Sequence, residues 1–552
     1  ELISLQQLSG ILTSSVDAVV RQMNTKTKGM PVVIYNSLGY DVTDLAEVEI
    51  ETSKAPKDVS VYNADGKKVP AQLLSYTDGK AKLLLEATVP AVGYAVYDVR
   101  ISGSSKHSVI SSDASVLENS IYKLSLDQNG DVVSLFDKKN NKELVKEGKA
   151  VRLALFTDNK SYVWPAWEIK KTTIDTIPQS ITDDVKITML ENGILRKSIC
   201  VEKRYGESNF KQYIRMYEGS RADRIDFYNE VDWQSTNSLL KAEFPLNVTN
   251  QNATYDLGLG SIERGNNTTT AYEVYAHQWT DLTDRDNSYG VTVLNDCKYG
   301  WDKPDDNTIR LTLLNTPGYI YQNKQDLGYH TFTYSLVGHS GKLEKPEAVR
   351  KSDLLNQKLK AFSTEKHQGA LGKEFSFASS SNNNVIIKAI KKAENSDEYV
   401  VRVYEIGGEK EQKATIVFAG NIVEACEADG TEKKIAQAQF SNNSLSFSIK
   451  PFSIKTFKVR LTTSGLKRFE LQYASLPLKY DQKCSSFNEF RAEGDFDAGY
   501  SYAAELWPSE LNVDQIPFKL GEKDIANGMS CKGDTLYLPQ GETYNKLYVL
   551  AA

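Results

Sequence analysis

Histidine, the side chain that most often binds metals or transfers protons near neutral pH, is scarce in this sequence. The five histidines are His107, His277, His330, His339 and His367. No two of them lie close together in sequence, and the zinc patterns His-x-His, His-x-Asp and His-Glu-x-x-His do not occur. Carboxylates flank His277 at a distance of four residues, but in a strand or loop that spacing does not bring two side chains to one ion. The sequence therefore predicts no metal site.

The sequence also lacks the motifs that are typical of other kinds of catalysis. The five cysteines are an odd number and form no Cys-x-x-Cys pair, which leaves buried free thiols as the simplest interpretation. A phosphate-binding loop, a Gly-x-Gly-x-x-Gly turn and a Gly-x-Ser-x-Gly elbow are all absent. Glycoside hydrolysis needs two carboxylates about 5–10 Å apart. With 72 acidic residues in the chain, sequence spacing cannot select such a pair.

Aromatic residues beside polar clusters are the remaining candidates for chemistry, because a flat ring can stack on the C–H face of a sugar while neighbouring polar groups bind its hydroxyls. The candidates are Trp164 and Trp167, His277 and Trp279, Trp301 with Asp302, and Tyr500, Tyr502 and Trp507. The alternative is that these large side chains simply fill the cores of β-sandwiches.

Composition narrows the classes of partner. The 66 basic and 72 acidic residues give a net charge of 66 − 72 = −6, which argues against a protein that binds the nucleic-acid backbone. No run of about 20 apolar residues is present, so no membrane-spanning helix is predicted. The chain begins at Glu1 without a methionine and ends in an apolar, strand-like segment, so we expect it to be a piece of a longer protein.

The elements that must position these residues are mainly β-strands. Residues 1–27 form the exception, because Leu5, Leu8, Leu12, Val16, Val19 and Met23 recur at helical spacing and predict an amphipathic helix. Such a helix must pack on something, and we interpret it as the end of a helical region whose remainder is missing from this sequence. From residue 28 the hydrophobic period changes to two, and turn dipeptides such as Asp78-Gly79 and Asn129-Gly130 separate alternating runs. Residues 352–362 are either one short helix or an extended connector.

The predicted organisation has five parts. They are a helical segment (1–27), a small β-sandwich (28–101), a large β-supersandwich (113–345), a further β-sandwich (366–461) and a partial or appended β-sandwich module (466–552). Linkers rich in Ser, Thr and Gly are predicted at 102–112 and 462–465.

A resemblance to a known family rests on residues 258–339. Gly258-Leu259-Gly260-Ser261-Ile262-Glu263-Arg264 is followed by a run from Glu273 to Leu282 and then by Leu294-Asn295-Asp296-Cys297-Lys298-Tyr299-Gly300. This order closely resembles the C-terminal β-region of glycoside hydrolase family 38 α-mannosidases. Segments of residues 1–461 resemble the rest of that region, and residues 466–552 resemble the first half of a β-sandwich module appended to some exported glycosidases.

The resemblance implies a mainly β protein with an N-terminal helix, a small β-sandwich, a large supersandwich like that of galactose mutarotase relatives, and further β-sandwich modules. It also implies a retaining exo-α-mannosidase, in which an aspartate nucleophile forms a covalent mannosyl intermediate and zinc is held by two His and two Asp. The family's catalytic motifs do not occur in this chain, so no catalytic residue and no metal ligand are assigned, and zinc is expected only in the intact enzyme.

The expected function is that of the accessory C-terminal β-portion of such an enzyme, inactive alone, with a mannose-containing glycan and an N-terminal catalytic domain as partners. Arg264, His277 and Trp279 are the predicted substrate contacts, and stabilisation of a domain interface is the alternative role for them. A non-catalytic carbohydrate-binding protein, a structural protein and an epimerase-like site in the supersandwich stay open as alternatives. The tail module favours the periplasm or the extracellular space, although the compartment, the linkage specificity and the oligomeric state are not fixed by the sequence.

Overall fold

The computed structural model describes residues 2–103, 115–161, 164–165, 167–318, 325–462, 473–497, 499–513, 516–539, 544 and 547–551. Most of the predicted linker 102–112 and part of the linker 462–465 lie outside these residues. The chain divides into two compact units, Glu1–Leu466 and Lys467–Ala552. Within the described residues no helix is long and apolar enough to cross a membrane.

The N-terminal helix α1 spans Leu2–Val20, as predicted, but the predicted stripe does not pack. Leu5, Leu8, Leu12 and Val19 are exposed. Only the C-terminal end of the helix and the residues after it are covered, where Val20 and Met23 pack with Val33, Tyr94 and Val96. Helical spacing thus shows which face is apolar but not what covers it, and the first three turns have no apolar cover among the described residues.

The small sandwich begins with seven strands whose alternating burial encloses one core. They are β1 (Met30–Asn36), β2 (Val42–Glu51), β3 (Asp58–Tyr62), β4 (Lys68–Val69), β5 (Ala71–Thr77), β6 (Lys80–Val89) and β7 (Gly93–Ser102). Asp78 and Gly79 both have positive φ in the hairpin between β5 and β6, which is the turn conformation that their sequence predicts. β2, β5 and β6 form one sheet, and β1, β3, β4 and β7 belong to the other.

The large sandwich follows in sequence. Its strands are β8 (Val116–Glu118), β9 (Tyr122–Leu126), β10 (Val132–Asp137), β11 (Lys142–Glu143), β12 (Arg152–Phe156), β13 (Gln179–Ser180), β14 (Asp183–Asn192), β15 (Arg196–Tyr205), β16 (Ser208–Tyr217), β17 (Ile225–Trp233), β18 (Ser238–Pro245), β19 (Ala253–Asp256), β20 (Ser261–Arg264), β21 (Val274–Tyr275), β22 (Trp279–Thr283), β23 (Tyr289–Asn295), β24 (Gly300–Asp302), β25 (Thr308–Thr316) and β26 (Gly328–Ser340). A short helix α2 (Lys171–Ile174) and a 3₁₀ turn (Gly219–Arg221) interrupt them.

Three antiparallel sheets make up the large sandwich. Nine strands pair in the order β14-β15-β16-β17-β26-β23-β22-β19-β20, six in the order β13-β12-β18-β25-β24-β21, and four in the order β11-β10-β9-β8. A single apolar core that includes Trp233, Trp301 and Tyr334 joins them. The mainly β fold class predicted from the sequence is confirmed.

Polar residues of the six-stranded sheet form a buried ion network. The Lys241 ammonium is fully buried and donates to Asp302 Oδ1 at 2.7 Å and to Glu273 Oε2 at 2.6 Å. The Arg310 guanidinium donates to both oxygens of the same Asp302 carboxylate. Burial alone would raise the pKa of Asp302, but Lys241 and Arg310 outweigh it and hold that pKa below its usual value.

A second buried ion pair joins the small sandwich to the large one. Asp44 lies on β2, and its carboxylate accepts two hydrogen bonds from the Arg221 guanidinium, at 2.8 and 2.7 Å. The guanidinium also donates to the Leu45 carbonyl and lies over the Tyr217 ring. Since both partners are buried, the pair fixes this interface with directional bonds as well as apolar contact.

Helix α3 (Lys345–Asn356) leads out of the large sandwich, and it starts earlier than the sequence indicated, with a proline in its first turn. The chain then returns to the small sandwich, where β27 (Lys360–Ser363) pairs with β1 and β28 (Glu374–Ser376) pairs with β7. Two strands of the small sandwich therefore come from sequence that follows the large one.

The third sandwich holds the remaining strands of the first unit. They are β29 (Ala378–Ser380), β30 (Val385–Lys392), β31 (Tyr399–Glu405), β32 (Gln412–Phe418), β33 (Ile422–Ala428), β34 (Lys434–Gln437), β35 (Gln439–Ser441), β36 (Ser444–Ile449) and β37 (Ile454–Leu461). They form a five-stranded and a four-stranded sheet around their own core.

The second unit has little regular structure among its described residues. It contains β38 (Ser485–Ser486), β39 (Tyr502–Ala503), β40 (Glu510–Val513), β41 (Ile516–Lys519) and a 3₁₀ segment (Asn488–Glu493). The pairs β38–β39 and β40–β41 form two small sheets.

Candidate functional site

A small cleft opens where the large sandwich, helix α3 and the third sandwich meet. Its volume is about 40 Å³. The large sandwich contributes Asp256, His277, Gln278 and Trp279, α3 contributes Lys345 and Ser352, and the third sandwich contributes Lys388, Tyr404 and Phe452. Two of the three predicted contact residues, His277 and Trp279, thus line the same cleft.

Trp279, the first residue of β22, is one of the residues that line the cleft. It is 1% exposed and packs with Leu294, Val337, Ala348 and Leu355. Its indole Nε1–H has no hydrogen-bond partner among the residues that the structure describes. A buried donor of this kind is uncommon in folded proteins and normally finds water or a ligand. Trp279 therefore combines a core role with a buried, unpaired N–H in a residue that lines the cleft.

His277 is half-exposed and lies between a carboxylate and an aromatic ring. Its Nδ1 is 3.8 Å from Asp256 Oδ2, and its ring stacks on Tyr299 with centroids 5.8 Å apart and planes 16° apart. Tyr275 stacks on Tyr299 as well, with centroids 6.2 Å apart. Both tyrosines are about half exposed, so this group presents ring edges and faces to solvent next to the cleft.

Asp256 is the buried acid of the cleft. Its carboxylate accepts the backbone N–H groups of Gly258 at 2.8 Å and Gln278 at 2.9 Å. Burial raises the pKa of Asp256, and the two backbone donors only partly oppose that change. A carboxylate with its own position fixed in this way can bind a hydroxyl without moving.

Arg264 does not line the cleft. It ends β20, where its guanidinium donates to the Tyr275 carbonyl at 2.7 Å and lies 5.2 Å from the centre of the Tyr255 ring. Because Tyr275 belongs to the aromatic stack on Tyr299, Arg264 supports the outer edge of the same region.

The turn between β19 and β20 carries the Gly258-Leu259-Gly260 sequence and closes one side of the cleft. Both glycines have positive φ, 79° and 85°, which a residue with a side chain rarely adopts. The Gly260 N–H donates to the Tyr404 hydroxyl, and a Cβ at Gly260 would lie 3.4 Å from the Phe452 ring. The glycines therefore allow the large sandwich to meet the third sandwich closely here.

Sequence reasoning missed the residues that α3 and the third sandwich bring to the cleft, chiefly Ser352, Lys388 and Tyr404. They lie more than seventy positions away from His277, and no local pattern singles them out.

Beside the cleft, Asp353 of α3 is buried, with Lys388 Nζ 3.5 Å from its carboxylate. Burial raises the pKa of Asp353 in spite of that ammonium.

The other aromatic candidates separate into core and surface residues. Trp301 is fully buried in the core of the large sandwich. Trp507 of the second unit is half-buried, and its indole N–H donates to the Gly521 carbonyl at 2.9 Å. Trp164 and Trp167, by contrast, are exposed and stack on each other.

The residues that the structure describes do not form a site for zinc. Across the described part of the chain, no three His, Cys, Asp or Glu side chains come together in a way that could hold a metal ion. We therefore derive no step of a reaction through zinc from the residues of this chain.

Comparison with known proteins defines the class of the chain. Residues 117–321 match the model of the glycosyl hydrolases family 38 C-terminal domain, and residues 384–457 match that of the family's C-terminal beta sandwich domain. Residues 472–552 match an AziU2-like beta-sandwich domain. The large and third sandwiches are thus glycosidase β-domains, and the chain carries the C-terminal domains of glycosyl hydrolase family 38.

The similar curated proteins are α-mannosidases. Alpha-mannosidase G of Dictyostelium discoideum is 28% identical over 405 residues, which cover 67% of this chain and 36% of that protein. Human Alpha-mannosidase 2C1 is 29% identical over 346 residues, which cover 60% of this chain and 32% of that protein. The chain therefore spans about a third of the length of these relatives.

A solved structure shares the fold. The crystal structure of an alpha-mannosidase from Enterococcus faecalis V583 matches with a TM-score of 0.63 at 17% identity, covering 81% of this chain and 58% of that chain. At this identity the match describes the fold alone.

Proposed function

We propose that this chain is the C-terminal β-portion of a retaining exo-α-mannosidase that removes terminal α-mannose from glycans. The single observation that carries the proposal is the pair of matches to family 38 C-terminal domains, on two adjoining sandwiches that enclose the cleft. A catalytic domain is the partner of this portion and supplies the nucleophile, the acid and the zinc. The β-portion contributes a scaffold and one edge of the substrate site.

Within this proposal, the cleft binds the rim of the mannoside and not the whole sugar. A volume of about 40 Å³ holds a few water molecules, since one water needs about 10–15 Å³ on this measure. Ligand pockets that enclose a whole small molecule measure about 300–1,000 Å³. A hydroxyl group at the cleft could accept a hydrogen bond from Trp279 Nε1 and donate one to Asp256.

The roles of the three predicted contacts follow from their positions. His277 and Trp279 face the hydroxyls of the sugar, while Arg264 holds Tyr275 so that the stacked tyrosines cover a C–H face. All of these groups are rigid or half-buried, which limits the conformational entropy lost on binding.

A non-catalytic carbohydrate-binding protein is the second candidate. The observation that favours it is the half-exposed stack of Tyr275, Tyr299 and His277, which could bind a sugar without any catalytic domain. Under this alternative, the stack need not select mannosides, because aromatic rings bind the C–H face that many pyranosides share.

One experiment tests whether the catalytic groups lie outside this chain. It measures hydrolysis of an aryl α-mannoside by this polypeptide, and bound zinc in the same sample. We expect no turnover and no stoichiometric zinc, because the proposal assigns the catalytic groups to a separate domain. Turnover with about one zinc per chain would contradict it, since a catalytic zinc site needs about three protein ligands placed together and the proposal assigns those ligands to the separate domain.

Binding of methyl α-mannoside, followed by NMR chemical shifts, tests the cleft. We expect His277→Ala to weaken binding about tenfold, the loss that corresponds to about one good hydrogen bond. Trp279→Phe keeps the ring packing and removes only the N–H, so it should weaken binding without lowering the melting temperature much.

His367→Ala is the matched control, because His367 is also half-buried but belongs to the segment beside the small sandwich. Its affinity should equal that of the unmodified chain. If the His277→Ala and Trp279→Phe variants bind methyl α-mannoside as tightly as the unmodified chain does, these residues do not contact the sugar. If the unmodified chain binds methyl α-galactoside as tightly as methyl α-mannoside, the second candidate is favoured.

A further inference from the structure

Trp164 and Trp167 are largely exposed residues of the large sandwich, and among the described residues their rings stack on each other. Trp164 is 60% exposed and Trp167 is 83% exposed. Their rings are 5.5 Å apart between centroids and within 10° of parallel. At this separation the rings are offset, so each leaves most of one face open to solvent.

The backbone beneath the pair is anchored although the rings are exposed. Pro165, between the two tryptophans, is buried, and the Trp167 N–H donates to the Trp164 carbonyl at 2.9 Å. Fully buried Ser161 donates to Glu168 Oε2 at 3.0 Å on the far side of the turn. Described residues on both sides of the two rings are therefore held to the rest of the sandwich by burial or hydrogen bonds.

The segment is also tied to the six-stranded sheet on both sides. Before it, buried Asn159 donates to the Ser238 carbonyl at 3.1 Å and to Asn315 Oδ1 at 2.7 Å. After it, the carbonyl of Ile174 in α2 accepts a hydrogen bond from Arg310 at 3.0 Å. The platform thus has a rigid base, which lowers the entropy lost when a ligand binds.

The small apolar area of the Trp164 and Trp167 rings indicates which kind of ligand fits them. A tryptophan buries at most about 250 Å², whereas a stable protein interface buries about 800 Å² per partner. Among the described residues that follow Trp167, Ile169 packs against the core of the sandwich, whereas Glu168, Lys170 and Lys171 place charged groups next in sequence to the exposed rings. Flat, narrow surfaces with charged groups at the border suit a pyranose, whose ring offers a C–H face and a polar rim.

We propose that Trp164 and Trp167 form a binding platform for the pyranose rings of a glycan, separate from the cleft at Trp279. One sugar ring stacks on the open face of Trp167, and Glu168 and Lys170, which are joined by a hydrogen bond of 2.5 Å, bind its hydroxyls. This site goes beyond the proposed function, because it requires neither the cleft residues nor a catalytic domain.

The test uses the whole chain labelled with 5-fluorotryptophan, whose six tryptophans give separate ¹⁹F NMR signals. Trp164→Phe and Trp167→Phe assign the two platform signals. Titration with linear α-linked mannotriose, and separately with cellotriose, should move both signals with a millimolar dissociation constant. We expect Trp167→Ala to weaken this binding about tenfold or more.

The control is Tyr329→Ala, because Tyr329 is another largely exposed aromatic residue but stands on the nine-stranded sheet. Its affinity should be unchanged, and the signals of buried Trp233 and Trp301 report that every variant is folded. The proposal is overturned if neither sugar moves the platform signals, or if Trp167→Ala binds as tightly as the unmodified chain. A shift confined to Trp279 would also overturn it, while supporting the cleft.

Discussion

Replacement of Lys241 by alanine is expected to lower the free energy of unfolding of the large sandwich by about 3–5 kcal/mol. The Lys241 ammonium is fully buried between Asp302 and Glu273. Its removal leaves buried Asp302 with Arg310 as its remaining cation and leaves Glu273 with the Thr312 hydroxyl, so neither carboxylate regains the charge that it loses. Urea unfolding followed by tryptophan fluorescence measures the change, since five of the six tryptophans lie in the sequence of the large sandwich.

A surface lysine supplies the control. Lys80 and Glu49 form an ion pair of 2.9 Å on the small sandwich, with both side chains about half exposed. Lys80→Ala should leave the free energy of unfolding nearly unchanged, because solvent screens such pairs. If Lys241→Ala were as mild as Lys80→Ala, the buried network would contribute nothing specific to the fold.

The Asp44→Ala variant is expected to separate the small sandwich from the large one more easily, at a cost of about 3–5 kcal/mol. Without Asp44, the Arg221 guanidinium stays buried with the Leu45 carbonyl and the Tyr217 ring as its nearest partners. Hydrogen exchange should show faster opening of the backbone amides of β2, because that strand carries the lost contact.

Glu49→Ala is the matched control for this second variant, since Glu49 lies on the same strand and its partner is exposed Lys80. The exchange rates of β2 should stay close to those of the unmodified chain. Rates that rise equally in both variants would mean that the strand responds to loss of any charge and not to the Arg221 contact.

Much of the β-architecture could be predicted because neighbouring residues in the sequence determine where its turns lie and which strand faces are buried. The Asp78-Gly79 dipeptide specifies a hairpin through the positive φ of both residues, and the alternating pattern of β6 specifies which of its faces is buried. The N-terminal helix followed from its spacing as well. Its partner did not, because burial of Leu5 and Leu8 depends on what else is near and not on their own periodicity.

The candidate site was predictable only where the family pattern is continuous in sequence. His277 and Trp279 lie in that pattern and meet at one cleft, yet Lys388 and Tyr404 come to it from the third sandwich. The exposure of Trp164 and Trp167 was equally hidden, since the sequence around them fits a core filler as well as a surface platform. Tertiary packing decides both questions, and it places Trp301 in the core instead.

The return of the chain to β1 and β7 after the large sandwich sets an order for biosynthesis. During synthesis from the N-terminus, β1 and β7 can pair early, but β27 and β28 emerge from the ribosome only after the whole large sandwich. The entropic cost of closing such a long connection grows only with the logarithm of its length once the inserted sandwich has folded. Until then the outer edge of β1 is an open strand edge that can pair with another molecule.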